Sequence, residues 1–360
     1  MQSVMPTSEI PQPLAITMGD AAGIGPEIIA MAMRQEPQVM RGCFVAGDVE
    51  TLRRAASVVT PPGRPALPIA VITTPEQVQS LPPRCMGVLQ VADPLPLVPW
   101  GKVSKQAGAF AGQCVLWAAD AALRGHIGAL VTAPLHKEAL SAAGAPYDAF
   151  PGHTEMLQYQ AARHLGKTVH ELPVRMMLAN DELRTVLVSI HVSLRQAIEA
   201  VTFATVLETL SITHSALSRI LGRAPRMGVA GLNPHAGEGG LFGREEMDLI
   251  APAVRAAQAQ GCLVSGPLAP DTVFMRARNT PDKPGEFDVV VAMYHDQGLI
   301  PVKYLGVEKG VNVTLGLPLV RTSPDHGTAF DIAGTGKADA SSLLEAVRMA
   351  RALSQDSVDY

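Results

Sequence analysis

Three histidines stand directly after apolar runs that are typical of buried strands. His191 follows TVLVSI, His235 follows VAGLNP and His295 follows VVVAMY. Neutral imidazoles suit zinc and neighbouring divalent ions, and three protein ligands leave positions open for a substrate. The three lie 44 and 60 residues apart, so only the fold could bring them together. Each one taken alone is better explained as a strand-end histidine that bonds nearby backbone.

A second set of polar side chains has the chemistry of an anion site. Lys303, Asn312 and Arg321 follow or end short apolar runs, and such a set can hold a phosphate or carboxylate. A solvated surface is the alternative. In GHTE, residues 152–155, His153 and Thr154 stand where a helix should begin, so Thr154 is also a candidate N-cap. Asp271, in GPLAPDTVF, is either a helix cap or an acid/base group.

Three glycine-rich segments bear on phosphate binding. GDAAGIGPE (19–27) combines a strand end, a small-residue turn and a helix opening at Pro26, an arrangement that favours an anion at the helix N-terminus. It is not the GxGxxG fingerprint of dinucleotide-binding folds. GLNPHAGEGGLFG (231–243) carries His235 and is otherwise typical of a flexible loop. AGTGKAD (333–339) is not a Walker A loop, because Asp331 replaces the first glycine and Ala338 follows Lys337.

The elements that must position these residues alternate along the chain. Strand-like runs such as LAITMGD, CFVAGD and ALVTAP are separated by helical patterns, with long helices predicted over 104–125 and about 203–222. This alternation predicts a largely parallel sheet with helices on both faces. Several runs end in polar clusters, and ligands of such sheets bind beyond the carboxyl ends of strands. The Gly- and Pro-rich segment 141–153 is a candidate domain boundary.

Composition limits the function classes. The chain has 360 residues, 47% of them apolar, which predicts about two domains. A net charge of −4 without a basic run argues against a nucleic-acid partner. Four cysteines without a CxxC pair argue against a disulfide framework and favour a reducing, cytoplasmic setting. Residues 1–13 are predicted to be a disordered tail, not a signal peptide, and no apolar run reaches the roughly 18 residues of a membrane helix.

Several of these segments together identify a family resemblance. TMGDAAGIGPE, PGHTE, GLNPHAGEGGLFG, GPLAPDTVF, MYHDQGLIPVKYLG and the stretch from GVNVTLG to GTGKAD resemble the 4-hydroxythreonine-4-phosphate dehydrogenase family, from about residue 14 to about 350. The resemblance implies an α/β fold of two α/β/α domains of the isocitrate/isopropylmalate dehydrogenase type. The first domain would comprise 14–145 plus 313–360, and the second 146–312. It also implies a homodimer whose active site lies in the interdomain cleft at the subunit interface.

The resemblance also implies roles for individual residues. His191, His235 and His295 would bind one divalent metal ion (Zn, Mg, Co or Mn), one of them coming from the partner subunit. Lys303 or Asp271 would take or relay the proton. The substrate would be bound by His153, Thr154, Lys303, Asn312 and Arg321. The cofactor, NAD or NADP, would lie against Gly316, Leu317, Pro318, His326, Gly327 and Thr328.

The implied substrate is a small phosphorylated hydroxy acid. In the family, 4-phosphohydroxy-L-threonine is oxidised to a β-keto acid that decarboxylates to 3-amino-2-oxopropyl phosphate, a precursor of pyridoxal phosphate. Ala21 stands where proline usually follows Gly-Asp, and YDAF forms a longer lead-in to PGHTE. Both features resemble the branch that acts on D-threonate or D-erythronate 4-phosphate. A relative that oxidises a cis-dihydrodiol dicarboxylate ranks third.

Overall fold

The computed structural model describes residues 12–306 and 309–355. Within these residues the strands are β1 (Leu14–Thr17), β2 (Cys43–Gly47), β3 (Ile69–Ile72), β4 (Met86–Gln90), β5 (Ala129–Thr132), β6 (Arg175–Ala179), β7 (Arg184–Leu187), β8 (Met227–Ala230), β9 (Val264–Leu268), β10 (Val289–Ala292), β11 (Val311–Leu315) and β12 (Arg321–Pro324). The α-helices are α1 (Gly25–Gln35), α2 (Val49–Val58), α3 (Lys105–Leu123), α4 (Lys137–Ala142), α5 (His153–His164), α6 (Leu194–Ala200), α7 (Phe203–Leu221), α8 (Ala251–Ala259), α9 (Pro270–Ala277), α10 (His295–Tyr304) and α11 (Ser341–Gln355).

The strands form one continuous sheet in the order β3-β4-β2-β1-β5-β12-β11-β6-β7-β10-β8-β9. Pairing is parallel from β3 to β12 and again from β7 to β9, as the alternation of elements predicts. The middle is antiparallel, because β11 runs against both β12 and β6, and β6 against β7. As a result, β7, β8 and β10 run along the sheet in the opposite direction to β5 and β12.

Helices cover both faces of the sheet. Leu14 and Ile16 of β1, with Met18 directly after it, join a hydrophobic cluster that also contains buried residues of α1, α7 and α11. Ala15 faces the other side, where Phe44 and Leu130 pack with residues of α3 and α5. This alternation follows from the two-residue period of a strand, and most strand residues are apolar because both faces of the sheet are covered.

Local sequence signals account for the long helices. Ser104 caps α3 by accepting a hydrogen bond from Ala107 N, and Thr202 caps α7 by accepting one from Thr205 N. Gly222 ends α7 in the left-handed conformation, with φ of 61°, which glycine adopts at little cost. Both predicted long helices, over 104–125 and about 203–222, are therefore confirmed within two residues at each end.

The N-terminal boundary and the cysteines can be compared with the sequence predictions. Pro13 is buried and its carbonyl accepts a hydrogen bond from Gly128 N, so packed structure begins before Leu14. Residues 1–11 of the predicted tail lie outside the described residues. All four cysteines are free thiols, and burial raises the pKa of Cys43 to about 11. Among the described residues, no helix has both the length and the apolar character of a membrane span.

Candidate active site

His191 and His295 lie side by side in one chain. Their ring centroids are 5.5 Å apart, although 104 positions of sequence separate them. His191 follows β7, and His295 opens α10 directly after β10, the strand that pairs with β7. Desolvation, followed by electrostatic repulsion from Lys137 and from the neighbouring His295, holds the pKa of His191 below its ordinary value. A neutral imidazole is the form that binds a metal ion.

One ring nitrogen of His295 has a carboxylate partner. Nδ1 lies 2.7 Å from Asp296 Oδ1, which leaves Nε2 available. Metal-binding histidines commonly use one nitrogen in this way, because the hydrogen bond fixes the ring and its tautomer. The His191–His295 pair therefore fits two ligands of a divalent ion.

His235 lies on a strained loop outside this pair. His235, Ala236 and Glu238 have φ of 52°, 54° and 44°, a conformation that L-residues rarely adopt. The loop is held by Glu246, a buried carboxylate that accepts hydrogen bonds from Leu232 N at 2.8 Å and Asn233 N at 2.7 Å. Stored backbone strain of this kind is typical of functional sites.

His235 and Asp271 line the same cavity, of about 750 Å³, beside the start of α10. Asp271 lies in the first turn of α9, whose N-cap is Ala269, so its alternative role as a helix cap is wrong. Gln297 links α10 to the loop after β8, because its Nε2 donates a hydrogen bond to Gly231 O at 2.7 Å. Among the described residues of one chain, no three His, Cys, Asp or Glu side chains are arranged to hold a metal ion.

Arg321 is a buried cation without a described counter-ion. It is 4% exposed, and its guanidinium contacts only threonine hydroxyls, of Thr132 and Thr314. Burial lowers the pKa of Arg321 to about 10, so it remains protonated at neutral pH. Within residues 12–306 and 309–355, no carboxylate lies within ion-pair distance of it. An anionic ligand would compensate the cost of burying this charge.

His153 is the first residue of α5 and lies near Arg321. Burial, and then the Arg321 charge, hold its pKa well below the ordinary value, although a hydrogen bond to the Ala133 backbone opposes them. Its Nε2 is buried and has no partner in the described structure. The N-cap of α5 is Gly152, so Thr154 is not the cap and its alternative role is wrong.

Two charged residues that the sequence analysis did not single out link these groups. The Lys137 charge lowers the pKa of both His153 and His191. The Glu155 charge acts in the opposite direction on His191 and on Arg321. The metal and anion candidates therefore belong to one electrostatic neighbourhood. Their positions in the sequence are the signal that could have identified them. Glu155 is part of GHTE, and Lys137 is the first residue of the helix after β5.

Lys303 is paired within its own chain. Its Nζ lies 2.8 Å from Asp325 Oδ2, just beyond the end of β12. This charge-assisted contact holds the side chain of Lys303 in place. Asn312, on β11, lies directly opposite Ser323, and its side chain points to the same face as those of Thr314 and Arg321. Lys303 therefore has the form of a cationic binding group, and Asp325 is a partner that the sequence analysis missed.

The two segments predicted to bind the cofactor lie at opposite ends of β12. Gly316, Leu317 and Pro318 precede that strand and line a separate cavity of about 490 Å³. His326, Gly327 and Thr328 follow it, and Ile24 N donates to Thr328 O at 3.0 Å. The structure therefore does not bring the two segments together. The reason is that β12 itself spans the distance between them.

The turn in GDAAGIGPE does not offer the predicted anion cradle. The backbone N–H groups of Asp20, Ala22, Gly23 and Ile24 are already bonded, to Pro134 O, Asp20 Oδ1, Asp20 O and Thr328 O. In the same way, the Glu27 carboxylate accepts from Gly334 N and Gly336 N in AGTGKAD. What remains is a buried Asp20 Oδ2 without a described partner, and burial raises the pKa of this carboxyl.

Comparison with known proteins supplies the family. A model described as pyridoxal phosphate biosynthetic protein PdxA matches residues 39–350. The chain belongs to the PdxA family. It is 50% identical to the 4-hydroxythreonine-4-phosphate dehydrogenase of Beijerinckia indica over 333 residues, 92% of each chain. It is 44% identical to the D-threonate 4-phosphate dehydrogenase of Salmonella typhimurium over 345 residues, 94% of this chain and 98% of that one.

The fold agrees with this assignment. A crystal structure of 4-hydroxythreonine-4-phosphate dehydrogenase from Klebsiella pneumoniae has a TM-score of 0.84 and 40% identity, covering 97% of this chain and all of that one. The resemblance drawn from the sequence motifs is therefore confirmed, as is a mixed α/β fold built on one large sheet. Membership of the PdxA family does not itself separate the two relatives by substrate, because both match along nearly the whole chain.

Proposed function

We propose that this PdxA-family protein is a divalent-metal- and NAD(P)-dependent dehydrogenase. Its substrate would be 4-phosphohydroxy-L-threonine, oxidised at the secondary alcohol to a β-keto acid that decarboxylates to 3-amino-2-oxopropyl phosphate. The observation that carries the proposal is the His191–His295 pair in the same electrostatic neighbourhood as the unpaired buried cation Arg321. The 50% identical relative named for this activity supports it.

The metal site requires a second copy of the chain. His191 and His295 would come from one protomer and His235 from its partner, because the described residues of one chain bring together only the pair. Asp271 would come from the same protomer as His235, because both residues line one cavity. Exposed apolar side chains beside these histidines are suited to burial in a homodimer: Ile190, Val192, Leu194, Leu241 and Phe242.

The charged and the neutral side chains of the site would have different roles. Arg321, Lys303 and Lys137 would bind the anionic ends of the substrate, while Asn312 and Thr154 would donate or accept hydrogen bonds. Neutral His153 would offer its free Nε2 to the substrate. A bound divalent ion supplies polarisation of the alcohol oxygen, and a bound NAD(P)⁺ supplies hydride acceptance. Asp271 would take the alcohol proton, because Lys303 is engaged in an ion pair with Asp325.

The cofactor would lie on the loop after β12. His326, Gly327 and Thr328 follow the strand end, and the next residues carry Phe330, whose ring stacks on His136 at 4.5 Å. The unpartnered Oδ2 of Asp20 lies on the turn that contacts this loop and would accept a hydrogen bond from the cofactor. Gly316, Leu317 and Pro318 are excluded from this proposal by their place at the other end of β12.

The domain arrangement is part of the proposal. Residues 14–145 plus 313–360 would form one domain of the isocitrate/isopropylmalate dehydrogenase type and 146–312 the other, with the active site between them. The antiparallel strands β11 and β12 connect the two sets of parallel strands, which supports a division there. Helix α5 begins inside 146–312 yet packs against α3, so it would belong structurally with the first domain.

D-threonate 4-phosphate is the second candidate substrate. Ala21 after Gly-Asp and the 44% identity to the Salmonella typhimurium enzyme favour it. The two substrates differ in an amino or a hydroxyl group, while the carboxylate, the carbinol and the phosphate are shared. The metal and anion contacts named above would therefore serve both.

The test is a comparison of the two substrates on the purified full-length protein. Reduced nicotinamide is followed with each acid, with NAD⁺ and NADP⁺, before and after treatment with a chelator and after metal is restored. We expect the higher kcat/KM with 4-phosphohydroxy-L-threonine and loss of turnover without metal. A higher kcat/KM with D-threonate 4-phosphate would select the second candidate. Turnover that survives complete metal removal would refute the metal-dependent mechanism.

A further inference from the structure

Three arginines surround a cavity that is remote from the candidate active site. Arg34 lies in the last turn of α1, while Arg64 and Arg84 lie in the segments that lead into β3 and β4. Because β3 and β4 are paired in parallel, both segments enter the sheet at the same edge. The cavity measures about 340 Å³, and Pro65, Ala66, Leu67 and Pro68 complete its lining. This volume is at the lower end of the range of small-molecule sites.

The arginines of this cavity have no ion-pair partner in the part of the chain that the structure describes. None of the three arginines forms an ion pair with a described acidic residue, in a protein whose net charge is −4. Arg34 Nη1 donates to Pro65 O at 3.3 Å, which orients this guanidinium along the cavity wall. Three cations around one small cavity repel each other, and a bound anion would relieve this repulsion.

The backbone that carries Arg64 and Arg84 is held by two similar turns. Pro-Pro precedes each arginine, in PPGR (61–64) and PPR (82–84). Arg64 N donates to Pro61 O at 3.1 Å and Cys85 N donates to Pro82 O at 3.2 Å, so each turn is closed. Arg84 has a φ of 62°, in the left-handed region that is strained for a residue with a side chain. Such fixed backbone lowers the entropy cost of binding a ligand.

We propose that this cavity, the arginine pocket, binds a small multiply charged anion, of the class of a free or esterified phosphate. Guanidinium groups match phosphate oxygens through paired, charge-assisted hydrogen bonds. Three cations in one cavity are too few and too localised to follow a nucleic-acid backbone. The pocket lies at the start of β3 and β4, whereas Lys137 and Asp20 follow the ends of β5 and β1. Its strand β3 is eight positions along the sheet from β7.

The test is a calorimetric titration of the full-length protein with inorganic pyrophosphate, inorganic phosphate and glycerol 3-phosphate. All proteins carry Arg321→Ala, so that the anion contact of the active site is weakened. We expect saturable binding of at least one probe, and a Kd at least tenfold higher in the added double variant Arg64→Ala/Arg84→Ala. Arg53→Ala/Arg124→Ala, which removes two exposed arginines from local ion pairs, serves as the matched control.

The three probes also separate the sources of the anion. Tighter binding of glycerol 3-phosphate than of phosphate supports an esterified ligand, and the reverse order supports a free phosphate. Equal Kd values in the double variant and its control, with unchanged melting temperatures, would overturn the proposal. Absence of saturable binding by any probe would also overturn it. Because this readout is independent of turnover, it stands or falls separately from the proposed dehydrogenase activity.

Discussion

Arg321 and Thr132 join β12 to β5 in the interior of the sheet. The guanidinium Nε and Nη2 lie 3.2 Å and 2.8 Å from Thr132 Oγ1. A hydroxyl can accept these hydrogen bonds but cannot neutralise the charge. The contact therefore fixes the direction of the guanidinium and leaves its charge for a ligand.

Replacing Arg321 with lysine should weaken substrate binding. Lysine keeps the charge but loses the paired donors and the contact to Thr132. The KM for the phosphorylated acid should rise about tenfold or more, which corresponds to the loss of about 1.4 kcal/mol. The KM for the nicotinamide cofactor should remain within about twofold in the same steady-state assay. Thr132→Ser, which keeps the hydroxyl, is the matched control. An unchanged KM for the acid in Arg321→Lys would contradict the role assigned to this residue.

The shared metal site predicts complementation between two inactive variants. His191→Ala and His235→Ala should each lose metal and activity. A mixed dimer that contains one chain of each variant should hold one intact site. Both substitutions then lie in the other site, which is inactive. Random exchange of subunits should restore about one quarter of the wild-type activity. The measurement is activity and metal content before and after subunit exchange. His191→Ala mixed with His295→Ala is the control, and recovery there would show that the assignment of His235 to the partner is wrong.

Asp271 and Lys303 should differ in the kinetic parameter that they change. Asp271→Asn removes the proposed proton acceptor, so kcat should fall by about a hundredfold or more. Lys303→Met removes a cation that Asp325 holds in place through an ion pair, so its main effect should be a higher KM for the acid. Steady-state kinetics with both variants loaded with metal distinguish the two. A large fall in kcat for Lys303→Met, with none for Asp271→Asn, would exchange their roles.

Glu246 should be needed for the conformation of the His235 loop. Glu246→Gln replaces a buried carboxylate by an amide, whose NH2 group then faces a donor in either orientation: Asn233 Nδ2, or the N–H groups of Leu232 and Asn233. The free energy of unfolding should fall by about 1–3 kcal/mol. Bound metal should fall with it, because the strained loop loses its support. Glu245→Gln removes the charge from the carboxylate that accepts a hydrogen bond from Asn233 at the adjacent, half-buried position, and it should have the smaller effect. Denaturant unfolding and metal analysis check this prediction.

Asp288 should make stability depend on pH in the acid range. Burial tends to raise its pKa, but hydrogen bonds from Arg223 and Arg226 outweigh it and hold the pKa well below the ordinary value. The contribution of Asp288 to the free energy of unfolding is therefore complete above the pKa of about 4 that an Asp has in the unfolded chain. It declines as the pH falls below that value. Asp288→Asn should cost about 2 kcal/mol at neutral pH and progressively less below about pH 4. Denaturant melts of both proteins over this range measure the difference. A constant difference down to pH 2 would contradict it, and Asp248→Asn is the exposed control.

The sequence by itself determined the alternation of strands and helices and the family. Apolar runs that end in histidine, and a capping serine or threonine before each long helix, are local signals that survive in the folded chain. Local chemistry also identified the imidazoles and the cations, because residue type and strand-end position are visible without a fold.

Only the tertiary structure decided which of these groups meet. It paired His191 with His295 and left His235 with Asp271, engaged Lys303 with Asp325, and used the glycine-rich turn at Asp20 for internal hydrogen bonds. It also made β7 and β10 run in the opposite direction to β5. The spacing of the strands along the sequence does not indicate these directions. The physical reason is that hydrogen bonds and charge interactions depend on distances of a few ångströms. Those distances are fixed by the packing of segments that lie far apart in the chain.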